Sequence, residues 1–370
     1  MMSYDCVIIG GGISGLSLAV YLAQSGAKVA VIEKKHYPQH KVCGEYISTE
    51  SLGFLERLGL DLRALHLPYM SGLKVSSPLG ITVKGPLSIG GMGLSRYALD
   101  HKLYQLALEN GVLLYTDTTA RAIDFKEERF TLQLPQDTLS AKTLVGAYGK
   151  HSNIDTVLDN QQLPSEYIAL KYHIRHADFD RTTVELHSFP GGYCGLSAIE
   201  DGLINMSCIC KKNVFKKYNS IPALENKVLA QNPYLKRYFD EAEFVLDKPL
   251  TISKLHFRIN TPVKDHVLLI GDAAGNIAPL SGNGMSIGLN SALLAGTALL
   301  DYLAGKADRS AMEKKYRQQY YQLFSKRIRV ARWVHSLLGK KYLTDAGIAL
   351  TRFFPFLLKL FSKPIHGKPF

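Results

Sequence analysis

VIIGGGISGLSLAVYLAQSGAKVAVIEKK, residues 7–35, decides the fold. Tyr4 to Ile9 is a short apolar run ending at Gly10, as expected of a buried parallel strand. Gly10, Gly12 and Gly15 follow in GxGxxG spacing. Ser14 to Gln24 then repeats apolar residues at the helical period through Leu16, Ala19, Val20 and Ala23, and Ser25-Gly26 stops it. Lys28 to Ile32 is a second strand, closed by Glu33 and Lys34. In this order the first glycine permits a tight turn, the second lets a pyrophosphate approach the backbone, and the third lets helix and strand touch. The helix start supplies free N–H groups and the positive end of a dipole. An acid at the end of the second strand accepts from a ribose hydroxyl, which favours FAD or NAD over NADP at this position.

Some 260 residues later a second glycine-rich segment follows another apolar strand, Val267 to Ile270. It reads Gly271-Asp272-Ala273-Ala274-Gly275, then Pro279 and Ser281-Gly282-Asn283-Gly284-Met285, and a long apolar helix begins there. The paired motifs resemble the flavoprotein hydroxylase superfamily, which includes aromatic hydroxylases, squalene epoxidase and geranylgeranyl reductases. The resemblance runs from Tyr4 to about Leu300, strongest at both ends.

This resemblance implies FAD as cofactor and NAD(P)H as electron donor. It implies that Asp272 bonds the ribityl chain, that Pro279 lines the flavin face, and that the backbone of Gly282, Asn283, Gly284 and Met285 meets the pyrimidine edge. His40 to Glu45, HKVCGE, resembles the KxCGE element of geranylgeranyl reductases, so Lys41 would contact cofactor phosphates and Cys43 would face the substrate. Arg96, in the stretch LSRYALD that opens a helix to Asn110, matches an element whose arginine reaches the FAD diphosphate. A cation in a first helical turn opposes the dipole, which favours a bound anion beside it. Tyr148 stands where the superfamily's VGADGxxS element has Asp, a departure that bears on how a pyridine nucleotide docks. Tyr193, in a segment similar to the reductases' GYxWxFP, is a candidate cavity wall. Gly195 replaces that segment's Trp, which would widen the cavity.

Composition bounds the rest. The chain has 370 residues, 46% of them hydrophobic, enough for a core larger than one domain usually holds. Its net charge of +12 lies entirely in residues 305–370, which hold fifteen Lys/Arg and three acids. The remainder is balanced, which argues against a nucleic-acid partner. Five cysteines without a CxxC pair indicate neither a disulfide framework nor a zinc ribbon, and the scattered histidines have no metal-ligand spacing. The N-terminus lacks the basic start of a signal peptide, and no run of 18 uncharged apolar residues occurs, so a cytoplasmic protein is expected.

Residues 166–257 read mainly as alternating strands with a helical pattern near Ile221 to Ala230. Ala311 to Leu338 reads as a long helix with Tyr316, Tyr320, Leu323, Phe324, Ile328, Ala331 and Leu338 on its inner stripe. Ile348 to Phe361 is apolar on most sides and interrupted by Pro355. The tail is either a helical cap with solvated cations or a surface that meets an anionic membrane.

The expected fold is α/β. A three-layer, Rossmann-like FAD-binding domain is split over 1–66, 94–156 and 262–305. An inserted mixed β-sheet substrate domain takes 67–93 and 157–261, and a basic helical region takes 306–370. The expected function is an FAD-dependent monooxygenase acting on an apolar or aromatic small molecule. The alternatives are reduction of carbon–carbon double bonds in a polyprenyl or lipid substrate, and a flavin-binding partner protein without turnover.

Overall fold

The structure, a computed structural model, describes residues 2–150, 166–255, 261–275, 283–337, 340–353 and 367–370. Strand β1 (Met2–Ile9) is the centre of the first sheet. It pairs in parallel with β2 (Val29–Ile32) on one side and with the strand Thr138–Gly146 on the other. Val267–Leu269 adds in parallel beyond Thr138–Gly146. The register sets Ile9 level with Ile32 and with Gly146, and Gly146 level with Leu269. The carboxyl ends of four parallel strands therefore open onto one crevice, the place where open α/β sheets bind ligands.

Helix α1 (Ile13–Gln24) leaves β1 at this crevice and packs against the long helix Gly284–Leu303. The two approach closely because the second carries glycines at the contact. A Cβ on Gly288 would lie 2.5 Å from Ser14 Oγ, and one on Gly296 would lie 2.5 Å from Tyr21 Cδ1. Both distances are below any real contact.

The second sheet includes Tyr167–Arg175, Thr183–Phe189, Gly192–Ala198 and Ile204–Lys211, together with Tyr46–Ser48, Tyr69–Ser76 and Thr82–Gly93. Strand alternation gives its faces different chemistry. Ile168, Leu170, Tyr172, Cys194, Met206 and Cys208 pack outward into an apolar cluster under helices at 221–241. The intervening residues, among them Lys171, His173, Ser197, Asn205 and Ser207, share the inner face. Of the outer helices, Pro233–Glu241 was hidden among the expected strands. Its marks are Asn232, whose Oδ1 accepts from the Tyr234 N–H at 2.9 Å, and Pro233 in the first turn. All five cysteines are free thiols.

The tail is part of the first core. Its helix Arg309–Leu337 buries Met312, Tyr316, Tyr320, Phe324, Ile328 and Ala331 in the same cluster as β1 and α1. Leu323, expected on the inner stripe, is exposed because the i, i+4 row of buried residues passes through Tyr320 and Phe324 instead. Leu338 and Pro355 lie outside the described residues. Two tail cations are buried in ion pairs. Arg309 bonds Glu128, and Arg327 donates to Glu50 at 2.8 Å. Glu50 also accepts from the Ser286 hydroxyl and from the Gly367 N–H at 2.5 Å, tying the tail to the first turn of Gly284–Leu303. No helix among the described residues is long and apolar enough to cross a membrane.

Farther along, His335 packs edge-on against Tyr167 at 5.0 Å and Tyr193 at 5.7 Å. Burial, with Lys211 nearby, pushes its pKa down to about 4. The folded state thus holds His335 neutral while an unfolded chain takes up a proton below about pH 6.5. Stability is full above that value and is lost as pH falls towards 4, by roughly 3 kcal/mol at most. Replacing His335 by Phe is expected to flatten the fall in Tm between pH 7 and pH 4.5, and an unchanged pH slope would remove His335 as its cause.

Candidate functional site

The crevice continues into a cavity of about 750 Å³ between the strand ends of the first sheet and the inner face of the second. Its walls include Gly10, Gly12, Ser14, Glu33, Lys34 and Lys41 from the N-terminal third. Arg96, Tyr148, Asp272, Gly284 and Met285 complete the brought-together set, and Cys43 stands on the same wall. Pro279 and Gly282 lie outside the described residues. Asn283 is buried immediately before the helix Gly284–Leu303 and does not line the cavity.

The turn is built as the spacing requires. Gly10 has φ +109°, and a Cβ on Gly15 would lie 2.0 Å from Gly10 O, so neither position tolerates a side chain. Gly12 differs. A Cβ there would meet only Arg96 Nη2 and Lys41 Nζ, both at 3.7 Å, so this backbone faces open space rimmed by two cations. Glu33 is fixed at the strand end, its Oε2 accepting from Gly11 N–H at 2.8 Å and its Oε1 from Lys35 N–H at 3.1 Å. Ser14 lies on the wall, yet its Oγ is directed towards Gly271 and Gly288, so it helps join the helices.

The two cations share one buried counter-ion. Asp100 accepts from Lys41 Nζ at 2.9 Å and from Arg96 Nε and Nη2 at 2.8 Å each. Burial alone would raise the Asp100 pKa, but Arg96 and Lys41 outweigh it and hold the carboxyl below the usual range. Burial likewise works against the Arg96 charge, and Asp100 reverses that, holding its pKa above the ordinary value. The cation that opposed the helix dipole is therefore stabilised one turn later by Asp100. Two positive groups against one negative leave a net positive rim over the start of α1.

Glu45 anchors the loop His40–Glu45 and was not singled out in the sequence. It is fully buried, at φ +51°, a conformation that costs a residue with a Cβ about 1–2 kcal/mol. One carboxylate oxygen accepts from Lys171 Nζ and from Arg96 N–H at 2.7 Å, and the other bonds His173 Nε2 at 2.8 Å. Lys171 also donates to the Lys41 carbonyl at 3.1 Å, and Ser197 Oγ donates to Gly44 O at 2.8 Å. The loop that carries Lys41 and Cys43 is thus fastened to the inner face of the second sheet. Burial would raise the Glu45 pKa, but His173 and Lys171 bring it below the ordinary carboxylate value. Only the alternation of Lys171 and His173 with apolar residues along one strand marked them in the sequence.

His40 stacks on Tyr97 at 4.6 Å and lines the cavity. Burial first, then Lys171 and His173, lower its pKa and keep the ring neutral. Its Nδ1 is buried and has no hydrogen-bond partner among the described residues. Tyr193 is buried with Ala169, Ile209 and Leu255 behind the wall, and is absent from the lining. Gly195 does not open the cavity, since a Cβ there would meet Leu186 Cδ2 at 3.4 Å. Lys150 Nζ stands 3.9 Å from Asp272 Oδ2 at the opposite end.

These residues fit an FAD. The backbone at Gly12 would hold the diphosphate with Lys41 and Arg96, Glu33 a ribose, and Asp272 the ribityl hydroxyls. The first turn of Gly284–Leu303 would face the ring's pyrimidine edge.

Comparison with known proteins bears on the same residues. The profile of the FAD binding domain matches residues 3–321. Conditioned medium factor receptor 1 of Dictyostelium discoideum is 24% identical over 326 residues, which cover 80% of this chain and 63% of that protein. The chain therefore spans less than two thirds of that relative. Digeranylgeranylglycerophospholipid reductase of Methanococcus vannielii is 24% identical over 361 residues, covering 86% of this chain and 84% of the relative. Among solved structures, the myxobacterial chondrochloren halogenase CndH superposes with a TM-score of 0.81 at 18% identity, covering 98% of this chain and 91% of that one.

Proposed function

The chain belongs to the FAD binding domain family and is an FAD-dependent oxidoreductase, and from that premise we propose that it is a monooxygenase. Its substrate is an apolar or aromatic small molecule, and NAD(P)H is the electron donor. When bound, FAD supplies the redox chemistry. The protein binds, orients, excludes water and manages protons.

The observation that carries this reading is the neutral His40 on the wall of a cavity whose far end is apolar. Val42, Ala169, Ile209, Ile252 and Leu255 form that end, with Ser207 and Thr251 as polar points. An imidazole held neutral accepts a proton from an acidic hydroxyl, which activates an aromatic ring towards oxygenation. The apolar wall accepts the remainder of such a substrate.

Reduction of carbon–carbon double bonds is the second reading. It is supported by the loop with Lys41, Cys43 and Glu45 and by the likeness to the digeranylgeranylglycerophospholipid reductase of Methanococcus vannielii. Here Cys43 stands on the cavity wall, its side chain engaged with Arg96.

One experiment separates the two. The holoenzyme is given NADPH or NADH with a panel of alkylphenols and polyprenyl lipids, under labelled oxygen and under strict anaerobiosis. Label in the product, with turnover ~10²-fold lower in His40→Ala, is expected. Because the His40 pKa lies below its ordinary value, activity should persist as pH falls through 6.5 and decline only at lower pH. Saturated product formed without oxygen would replace this reading by the second.

A further inference from the structure

The helix Lys341–Phe353 is turned inside out. Its inward residues include Thr344 and Asp345, both buried beside Ile348, and Asp345 Oδ1 accepts from the Leu79 N–H at 3.3 Å. Outward it presents Leu343, Ala346, Gly347 and Leu350, spaced i, i+3, i+4 and i+7, the stripe that a soluble helix normally hides. Leu343 is 56% exposed, Leu350 51%, and Tyr342 beside them 82%.

The last turns of the preceding helix add a similar face. There Leu323, Lys326, Arg329 and Trp333 lie on the side opposite Phe324, Ile328 and Ala331, and Trp333 is 53% exposed. Charge on this region has one sign. From Lys314 to Phe370 the sequence holds thirteen Lys/Arg and one acid, Asp345, which is buried.

We propose that the outer faces of Leu323–Trp333 and Lys341–Phe353 form a peripheral docking surface for an anionic lipid bilayer. Apolar side chains enter the interface, and Lys326, Arg329, Arg332 and Lys340 meet the headgroups. The charge complement selects this occupant. A second copy of the chain would bring the same cations face to face, whereas anionic lipid neutralises them at about 1 kcal/mol, or roughly fivefold in binding, for each cation. Exposed Leu and Trp add burial that a merely electrostatic contact lacks. This surface stands apart from the cavity, so the proposal does not depend on which reaction the protein catalyses.

Trp333 is the only tryptophan, so its fluorescence reports this surface alone. The holoenzyme is mixed with vesicles of phosphatidylcholine containing or lacking phosphatidylglycerol. The expected result is co-sedimentation and a blue-shifted Trp333 emission with the anionic vesicles only, quenched by lipids brominated near the headgroup.

Leu343→Gln with Leu350→Gln should abolish the shift at an unchanged Tm, since both side chains are exposed. Lys326→Gln with Arg329→Gln should weaken binding roughly 25-fold. The proposal is overturned by equal binding to neutral vesicles, by binding that survives both pairs of substitutions, or by a concentration-dependent dimer that the Leu343/Leu350 substitutions dissolve.

Discussion

Glu45→Ala is expected to destabilise the protein by about 3–5 kcal/mol, the largest effect of any single change on the cavity wall. The substitution leaves the fully buried Lys171 without its carboxylate, the Lys41 carbonyl being its remaining hydrogen-bond partner among the described residues, and removes the acceptor of His173. It also releases the left-handed conformation that three donors hold in place. Thermal melts of the apoprotein measure the loss, and thiol labelling of Cys43 measures the loosening of the loop. Combining Glu45→Ala with Lys171→Met should recover much of the Tm, because the uncompensated charge is then gone. A drop below 1 kcal/mol for the single change would mean that the ion pair does not hold the loop.

Asp100→Ala should act almost as strongly, but with a different signature. Without the carboxylate, Lys41 and Arg96 face each other across the space in front of Gly12 with no counter-ion. The apoprotein should lose about 3–5 kcal/mol. Saturating FAD should then raise Tm more in the variant than in the parent, because the diphosphate takes the place of the missing charge. Inorganic pyrophosphate should give part of that recovery. If the variant gains no more from FAD than the parent does, these two cations do not hold the diphosphate.

The parts legible in the sequence are those with a local pattern. Residues 4–33 specify strand, turn, helix and strand within about two residues, because glycine spacing and a 3.6-residue period are local properties. Asp272 and Met285 came from the resemblance that the second glycine-rich segment carries, and both line the cavity holding Gly12. Glu45, Lys171 and His173 were not, since they come from a loop and a strand some 126 residues apart and meet only when the second sheet closes over the first. Tyr193 was misplaced for a related reason. Alternation puts it on the inner face, but Leu255 and His335 come between it and solvent, and neither contact is written in its own neighbourhood. The tail shows the same divide. Its buried stripe was readable from Tyr316 to Ala331 apart from Leu323, Leu338 lying outside the described residues, whereas the engagement of Arg327 by Glu50 depends on tertiary placement.

The late position of the tail helix sets an order of events during synthesis. The second sheet is complete once residue 255 has emerged, although it is inserted in the middle of the chain. The first sheet begins with residue 2, yet it waits for the strand Val267–Leu269, for Gly284–Leu303, and for the row from Met312 to Ala331 that seals its core. Since chains fold as they leave the ribosome, the inserted unit can be finished while the surrounding one is still open. The nascent protein must therefore keep β1 and α1 shielded until the row from Met312 to Ala331 has emerged. Holding of the flavin by both halves of its site becomes possible only when the tail helix closes the core behind it.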